Sequence, residues 1–226
     1  MADINLTMTA VSAMAVTLST FRGRLRQELH DEDSANYRWT DATLNRHLAR
    51  AAREVSLVLP REQKTSLTTT PGSRDVSLSS LTDLVRVDAV EYPTGSFPPC
   101  YVQFSVYQDT LTLLVDTAPS SAQSLNVYWG QLHTLDAASS TFPTAAEDVV
   151  VLGAGGYAAL EWASFATNRA NVSGDAAFEN YRGWGEERLA RFREALQSFG
   201  RESRVRGASL YRPARPLSQS TVQWGA

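Results

Sequence analysis

The chain has 226 residues, 43% of them hydrophobic and 20% charged, and a formal net charge of −3. That length suits one domain, or one domain with a large insertion, and leaves ample chain for a core. A single cysteine, Cys100, excludes an internal disulfide and a multi-thiolate metal site, and no apolar run approaches membrane-spanning length. The opening MADINLTMTAVSAMAV lacks the basic start of a secretory signal, so the expected compartment is the cytoplasm where the chain is made.

Charge is unevenly placed. Residues 1–66 carry +1, 67–143 carry −5, 144–198 carry −3 and 199–226 carry +4. The acidic middle is poorly suited to gripping nucleic acid. Arginine outnumbers lysine twenty to one, which supplies planar, multi-donor cations in place of mobile ammonium groups.

Four helices are expected to frame a strand-rich middle. Val11, Met14, Leu18, Phe21, Leu25 and Leu29 recur at steps of three and four and predict a first helix from Thr9 to Leu29. Asp31, Glu32, Asp33 and Ser34 then read as a loop. Trp39-Thr40-Asp41 opens a second helix carrying Leu44, Leu48, Ala51, Val55 and Val58. Thr40 or Asp41 can cap its free N–H groups, Trp39 can pack back as a staple, and Pro60 ends it.

From Lys64 to Leu132 the period drops to two. Leu67–Thr70, Val85–Ala89, Val102–Val106, Thr110–Val115 and Leu125–Trp129 predict five strands, separated by proline- and glycine-bearing turns. They imply a compact antiparallel sheet or small barrel. A third helix is expected from Ala145 to Thr167. A fourth, from Asp175 to Ser198, carries the stripe Phe178, Tyr181, Gly185, Leu189, Phe192, Leu196 and Phe199. Gly183 and Gly185 weaken it by up to about 1 kcal/mol each relative to alanine.

The segment from Phe199 to Ala226 sets five arginines, Arg201, Arg204, Arg206, Arg212 and Arg215, against one acid, Glu202. Pro213 and Pro216 interrupt any helix there. Tyr211, Leu217 and Trp224 follow no core periodicity. An extended tail is expected, read either as a docking segment, since arginine and aromatics anchor interfaces, or as a solvated chain end.

Asp148–Ala159 contains Gly153-Ala154-Gly155-Gly156, which looks like a strand running into a dinucleotide turn. Such a turn needs a second parallel strand ending in an acid about 20 residues on. Asp175 and Glu179 fall at that distance but open a helix. The reading preferred here is one continuous helix with glycines at a close helix contact. His30, His47 and His133 have no metal-ligand spacing and read as loop or surface histidines. Glu147-Asp148 and Glu186-Glu187 read as acids favoured in first helical turns rather than as catalytic pairs. Glu186, Glu187 and Glu194 interleave with Arg188, Arg191 and Arg193, as on a solvated ion-paired face. The residues therefore suggest neither a catalytic site nor a cofactor or metal site.

The order of elements resembles that of the head-to-tail adaptor (connector) proteins of tailed bacteriophages. The matching features are Tyr37-Arg38-Trp39-Thr40-Asp41-Ala42-Thr43-Leu44 with the helix through Glu54, Leu84–Tyr92 and Leu125–Trp129 in the β insertion, and Thr141-Phe142-Pro143 before a Gly/Ala-rich helix through Trp162. The resemblance covers residues 5–198 and implies an α+β fold: a four-helix adaptor-type bundle, an inserted antiparallel β module and an extended C-terminal tail. The expected division is 1–63 with 144–200 for the bundle, 64–143 for the β module and 201–226 for the basic tail. It implies a structural virion protein without enzymatic activity, in a homo-oligomeric ring commonly of twelve subunits. The ring would lie beneath the portal protein, extend the channel for double-stranded DNA and present a platform to a downstream neck or tail protein. The implied location is the head–tail junction of the virion, with the host cytoplasm during assembly and no membrane.

On that reading Arg201, Arg204, Arg206, Tyr211, Arg212, Arg215 and Trp224 are the expected portal-docking residues. Asp75, Asp83, Asp88, Asp109, Asp116 and Asp136 are expected to line or rim the channel, where acids would repel phosphates and limit sticking. Two alternatives stay open at this point: a neck or tail-completion protein of the same virion region, and a small nucleotide-binding enzyme using Gly153–Gly156.

Overall fold

The structure, a computed structural model, describes residues 16–166 and 176–211, with side chains for 16–165 and 179–200. The fold is α+β. In chain order it comprises α1 (Leu18–Glu28), α2 (Asp41–Val58), β1 (Arg61–Thr68), β2 (Asp75–Ser77), β3 (Leu84–Glu91) and β4 (Tyr101–Val102). There follow β5 (Phe104–Tyr107), β6 (Thr110–Leu113), β7 (Ser124–Gln131), α3 (Thr144–Ala166) and α4 (Ala176–Tyr211).

The helices pack around one core. Phe21 and Leu25 from α1, Leu44, Leu48 and Val55 from α2, Val150 and Ala154 from α3 and Phe192 from α4 are all buried in it. α1 is shorter than the periodicity predicts, because Thr17 is extended (φ −118, ψ 168) and the helix starts at Leu18. Residues 9–15 of that prediction lie outside the described residues. α2 starts where expected, with the Thr40 side chain accepting the Thr43 N–H. Trp39 reaches away from its own helix. Its indole N–H donates to the Ala158 carbonyl of α3 at 3.3 Å, and its ring meets Trp162 and Tyr181.

The glycine-rich segment is helix interior within α3, as the helical reading expects. Its backbone N–H groups belong to the helix, so they cannot cradle a pyrophosphate, and this removes the nucleotide-binding alternative. The reason for glycine is contact. A Cβ at Gly153 would stand 2.8 Å from the Phe192 ring, and one at Gly156 would stand 2.8 Å from Leu189 and 3.2 Å from the Gly185 carbonyl. From α4, a Cβ at Gly185 would meet Leu160 at 3.1 Å. Small residues let the α3 and α4 backbones approach closely.

The middle of the chain forms seven strands, not five, in two antiparallel sheets. One has the order β1-β7-β3-β4 and the other β2-β6-β5. Two departures explain the count. β2 is only three residues long, too short to show a period, and the run Val102–Val106 breaks at Gln103, where the chain passes from one sheet to the other. The sheets share a second core of Val76, Leu78, Val90, Leu111, Leu113, Leu125, Val127 and Trp129. β1 begins at Arg61, three residues before the expected boundary at 64; its sequence Arg-Glu-Gln-Lys is too polar to read as a strand. β1 and β7 pair along their full length from Arg61↔Gln131 to Thr68↔Ser124, so the insertion enters and leaves on neighbouring strands.

α4 departs most from expectation. The periodicity predicts a stop at Ser198 with an extended tail from Phe199; the helix instead runs to Tyr211. Between Phe199 and Tyr211 the chain has two glycines and no proline, and arginine, glutamate, alanine and leucine all favour helix. An apolar stripe is not required for helix, so its absence does not mark a helix end. The described helix ends two residues before Pro213, and the residue preceding a proline is disfavoured in the α conformation.

Candidate interaction surfaces

The Tyr37–Asp41 entry is held by a buried cation that the periodicity reading passed over. Arg26, 6% exposed at the end of α1, sits where the helical spacing suggests a solvated arginine. Its guanidinium donates to Asp31 Oδ2 at 2.5 Å, to Asp41 Oδ1 at 2.7 Å and to the Trp39 carbonyl at 3.0 Å, and it lies 3.5 Å from the Tyr37 ring centroid. Asp31, also buried, accepts the N–H groups of Arg38 and Trp39. Hydrogen bonding from Arg26 holds the Asp41 carboxyl below the usual range. These bonds fix the turn between α1 and α2. They thereby place the Arg38 guanidinium within 5.1–5.6 Å of the Trp39, Trp162 and Tyr181 ring centroids. A pocket of about 410 Å³ lies beside it, lined by Glu28, His30, Arg38, Asn180, Tyr181 and Trp184 among others.

Two histidines read as loop or surface residues are structural. His47 is 6% exposed on α2. Its Nε2 lies 2.8 Å from Glu161 Oε2, close enough for an ion pair but without hydrogen-bond direction. Burial pushes its pKa down, against the pull of Glu161. His133 joins the module to the bundle. Its ring spans from Thr141 Oγ1 to the Leu59 carbonyl, 3.1 Å at each end, and stacks on Phe142 at 4.5 Å. Its backbone N–H donates to Ser56 Oγ. Burial lowers its pKa as well. At the same joint Gly130 lies against Pro60, where a Cβ would stand 2.7 Å from the proline ring.

The acidic pairs fall as read, with one shift in position. Glu147 lies in the first turn of α3, buried, and bonds Arg24 at 2.9 Å. Glu186 and Glu187 form i,i+4 pairs with Arg182 and Arg191 along the solvent face of α4, well past its first turn. Arg188 departs from that face. It pairs with Glu28 of α1, lies 4.5 Å from the Trp184 ring centroid, and has its pKa lowered by burial.

The six aspartates are all exposed but are scattered through the module and its borders. Asp75 on β2 accepts from the Thr112 hydroxyl, Asp88 on β3 pairs with Arg86, and Asp109 forms the β5–β6 turn with Gln108. Asp83 precedes β3 at φ 56, and the Asp116 carbonyl accepts from Arg74. Asp136 caps its own loop, accepting from Ala138 and Ser139, and its carbonyl receives the Leu18 N–H. Glu91 was not among the candidates, although it is the acid the sheet encloses. Asn126 and Tyr128 donate to it, Lys64 stands 3.6 Å away, and these bonds, led by Asn126, lower its pKa.

Of the expected docking residues, Arg201, Arg204, Arg206 and Tyr211 lie on the last three turns of α4. Arg212, Arg215 and Trp224 lie outside the described residues. A Cβ at Gly200 would stand 3.5 Å from Val58, at the end of α2. The eleven residues that follow in α4 therefore run past the bundle at the end where the β module is attached.

No curated protein matches the chain. Solved structures similar to it include the neck of an empty GTA particle computed with C6 symmetry, at 16% identity, covering 77% of this chain and 92% of that one, with a TM-score of 0.30. The neck of a native GTA particle computed with C12 symmetry gives 16%, 77%, 92% and 0.29. The virion of the native gene transfer agent particle gives 16%, 77%, 93% and 0.27. The family described as SU10 adaptor protein matches residues 16–216, nearly the whole of the described fold including the bundle, the β module and the end of α4. The chain belongs to the SU10 adaptor protein family.

Proposed function

We propose that this adaptor is a non-catalytic ring component at the head–tail junction of a virion, assembled in the host cytoplasm and seated beneath the portal protein. The ring, of about twelve subunits as implied by the resemblance, extends the channel for double-stranded DNA and offers a platform to a downstream neck or tail protein. Family membership over residues 16–216 is the observation that carries this reading.

The division of labour follows from charge and placement. The bundle, residues 1–63 with 144–200, is the scaffold. The β module, 64–143, carries −4 and faces neighbours or the channel, with some of Asp75, Asp83, Asp88, Asp109, Asp116 and Asp136 on the channel rim. The basic stretch 201–226 docks on the portal through Arg201, Arg204, Arg206, Tyr211, Arg212, Arg215 and Trp224. Arginines make forked contacts to carboxylates and carbonyls, and aromatic anchors fill apolar pockets. Repetition around a ring multiplies each weak contact through effective concentration.

Truncation after Glu202 tests the docking role. The shortened chain is expected to stay folded, soluble and helical by circular dichroism, yet fail to join portal-bearing heads in a co-sedimentation assay. Normal binding by the truncated chain would exclude that role.

A further inference from the structure

Three helices place one pocket at the end of the bundle away from the β module. α1 starts at the foot of the module, where the Leu18 N–H bonds the Asp136 carbonyl at 2.9 Å, and it ends at Glu28. α2 leads into β1 at its C-terminal end, so Arg38 and Trp39, just ahead of Asp41, lie at the opposite end. On α4, Gly200 lies against Val58 of α2. Asn180, Tyr181 and Trp184 come 16–20 residues earlier, about 24–30 Å back along the helix. Glu28, Leu29, Arg38, Asn180, Tyr181 and Trp184 are among the residues that line the cavity there, which measures about 410 Å³, within the range of ligand pockets.

This pocket holds one uncompensated charge. Glu28 pairs with Arg188. Asp31 and Asp41, on either side of Arg38 in the chain, pair with Arg26. Among the described residues no carboxylate pairs with the Arg38 guanidinium. Rings hold it instead, with the Trp39, Trp162 and Tyr181 centroids at 5.1–5.6 Å. Its backbone N–H donates to Asp31 Oδ1 at 2.6 Å, so the buried Arg26–Asp31 pair also fixes where the side chain starts. A guanidinium set in place beforehand loses little freedom when it takes a carboxylate through forked hydrogen bonds. Leu29 and the Trp184 indole supply an apolar wall beside it.

We propose that this pocket receives an acidic segment of the downstream neck or tail protein, with a carboxylate on Arg38 and an adjacent apolar side chain against Trp184. The proposal rests on the reading above in which the basic end of α4 docks on the portal. The pocket then lies at the bundle end turned away from the portal. Copies in a cyclic ring meet through heterologous surfaces on their sides, which leaves that end free for the next protein along the axis. One exposed arginine–carboxylate contact is weak. A ring presents the pocket once per subunit, and simultaneous engagement turns weak contacts into firm attachment.

The test uses the full-length protein assembled on its cognate portal, with the purified downstream protein of the same particle as the probe. Arg38→Glu is expected to form portal rings like the wild type in electron microscopy, yet to bind the downstream protein at least tenfold more weakly. In a separate chain with p-benzoylphenylalanine in place of Asn180, illumination is expected to cross-link that position to the downstream protein. Arg38→Glu rings that lose less than tenfold overturn the proposal. So do cross-links from position 180 that reach only the portal or a second copy, or no cross-link at all. If Arg38→Glu disturbs the ring, the cross-link alone decides. Failure of the wild-type chain to form portal rings is a separate outcome, which overturns the ring reading and this contact with it.

Discussion

The helical bundle and the β module are built on opposite plans. The bundle turns its large apolar residues inward, packs two helices through glycine contacts and buries an arginine in a network that shapes one turn. The module has its own core, but among the described residues four of the seven large exposed hydrophobics, Phe97, Val106, Tyr107 and Leu114, belong to it. Phe97 is 98% exposed, at the tip of an uncharged loop. The difference is that close helix packing is concentrated in one region and exposed apolar surface in the other. In an adaptor this is a reasonable separation, because a scaffold must keep its shape while its contacts are made elsewhere.

The comparison can be broken most severely at Asp31. Replacing it with alanine leaves Arg26 buried with one carboxylate partner fewer, and removing a partner from a buried ion pair costs about 3–5 kcal/mol. Asp41 still pairs with Arg26, so about 3 kcal/mol is expected in chemical denaturation, with loss of helical signal. A cost below about 1 kcal/mol would mean the network does not hold the bundle.

A smaller effect is expected at the helix crossing. Gly156→Leu forces a branched side chain against Leu189 and the Gly185 carbonyl and should cost on the order of 1–3 kcal/mol. Gly155→Ala serves as the contrast. Its nearest neighbour is Arg188 Nε at 3.2 Å, against 2.8 Å to Leu189 at Gly156, so a smaller change, under about 1 kcal/mol, is expected by thermal melting. Equal effects at the two positions would deny that the crossing is specific.

Acid should separate the two regions further. His47 and His133 both have folded pKa values below the ordinary 6.5, so the unfolded chain takes up protons first. Their contribution is complete above pH 6.5 and is lost as pH falls from there through the folded values. The chain has no histidine between residues 48 and 132. Between pH 7.5 and 5.5, amides of α2 and α3 should therefore lose exchange protection before those of β3 and β7. His133→Asn should lower the melting temperature at pH 7.5 and flatten its fall on acidification. A melting temperature that rises toward pH 5.5 would contradict this sign. The smallest effect on stability is expected for Phe97→Ser, within about 0.5 kcal/mol, because an exposed ring has little contact to lose.

The sequence revealed the bundle better than the module, for physical reasons. Leu44, Leu48 and Val55 on α2 repeat along one buried face, and Thr40 announces the start, so the helix could be placed nearly to the residue. β1 could not be found this way, because an exposed edge strand of Arg, Glu, Gln and Lys has no apolar alternation to show. Arg26 and His133 were passed over because burial of a polar residue depends on partners distant in sequence, such as Asp41 and Leu59. One signal was available: Arg26 lies one step from Leu25 on the inner side of α1, ahead of the acidic loop that contains its partner Asp31. The end of α4 could not be placed from periodicity, because residues 199–211 carry no apolar stripe and the nearest breaker, Pro213, lies beyond the helix end at Tyr211.

The central claim is that this adaptor assembles as a ring on a portal. Electron microscopy of the purified full-length protein, mixed with its cognate portal, tests it most directly. Rings coaxial with the portal are expected, with one adaptor per repeating unit of the ring. Particles in which the protein stays monomeric and the portal remains bare would contradict it.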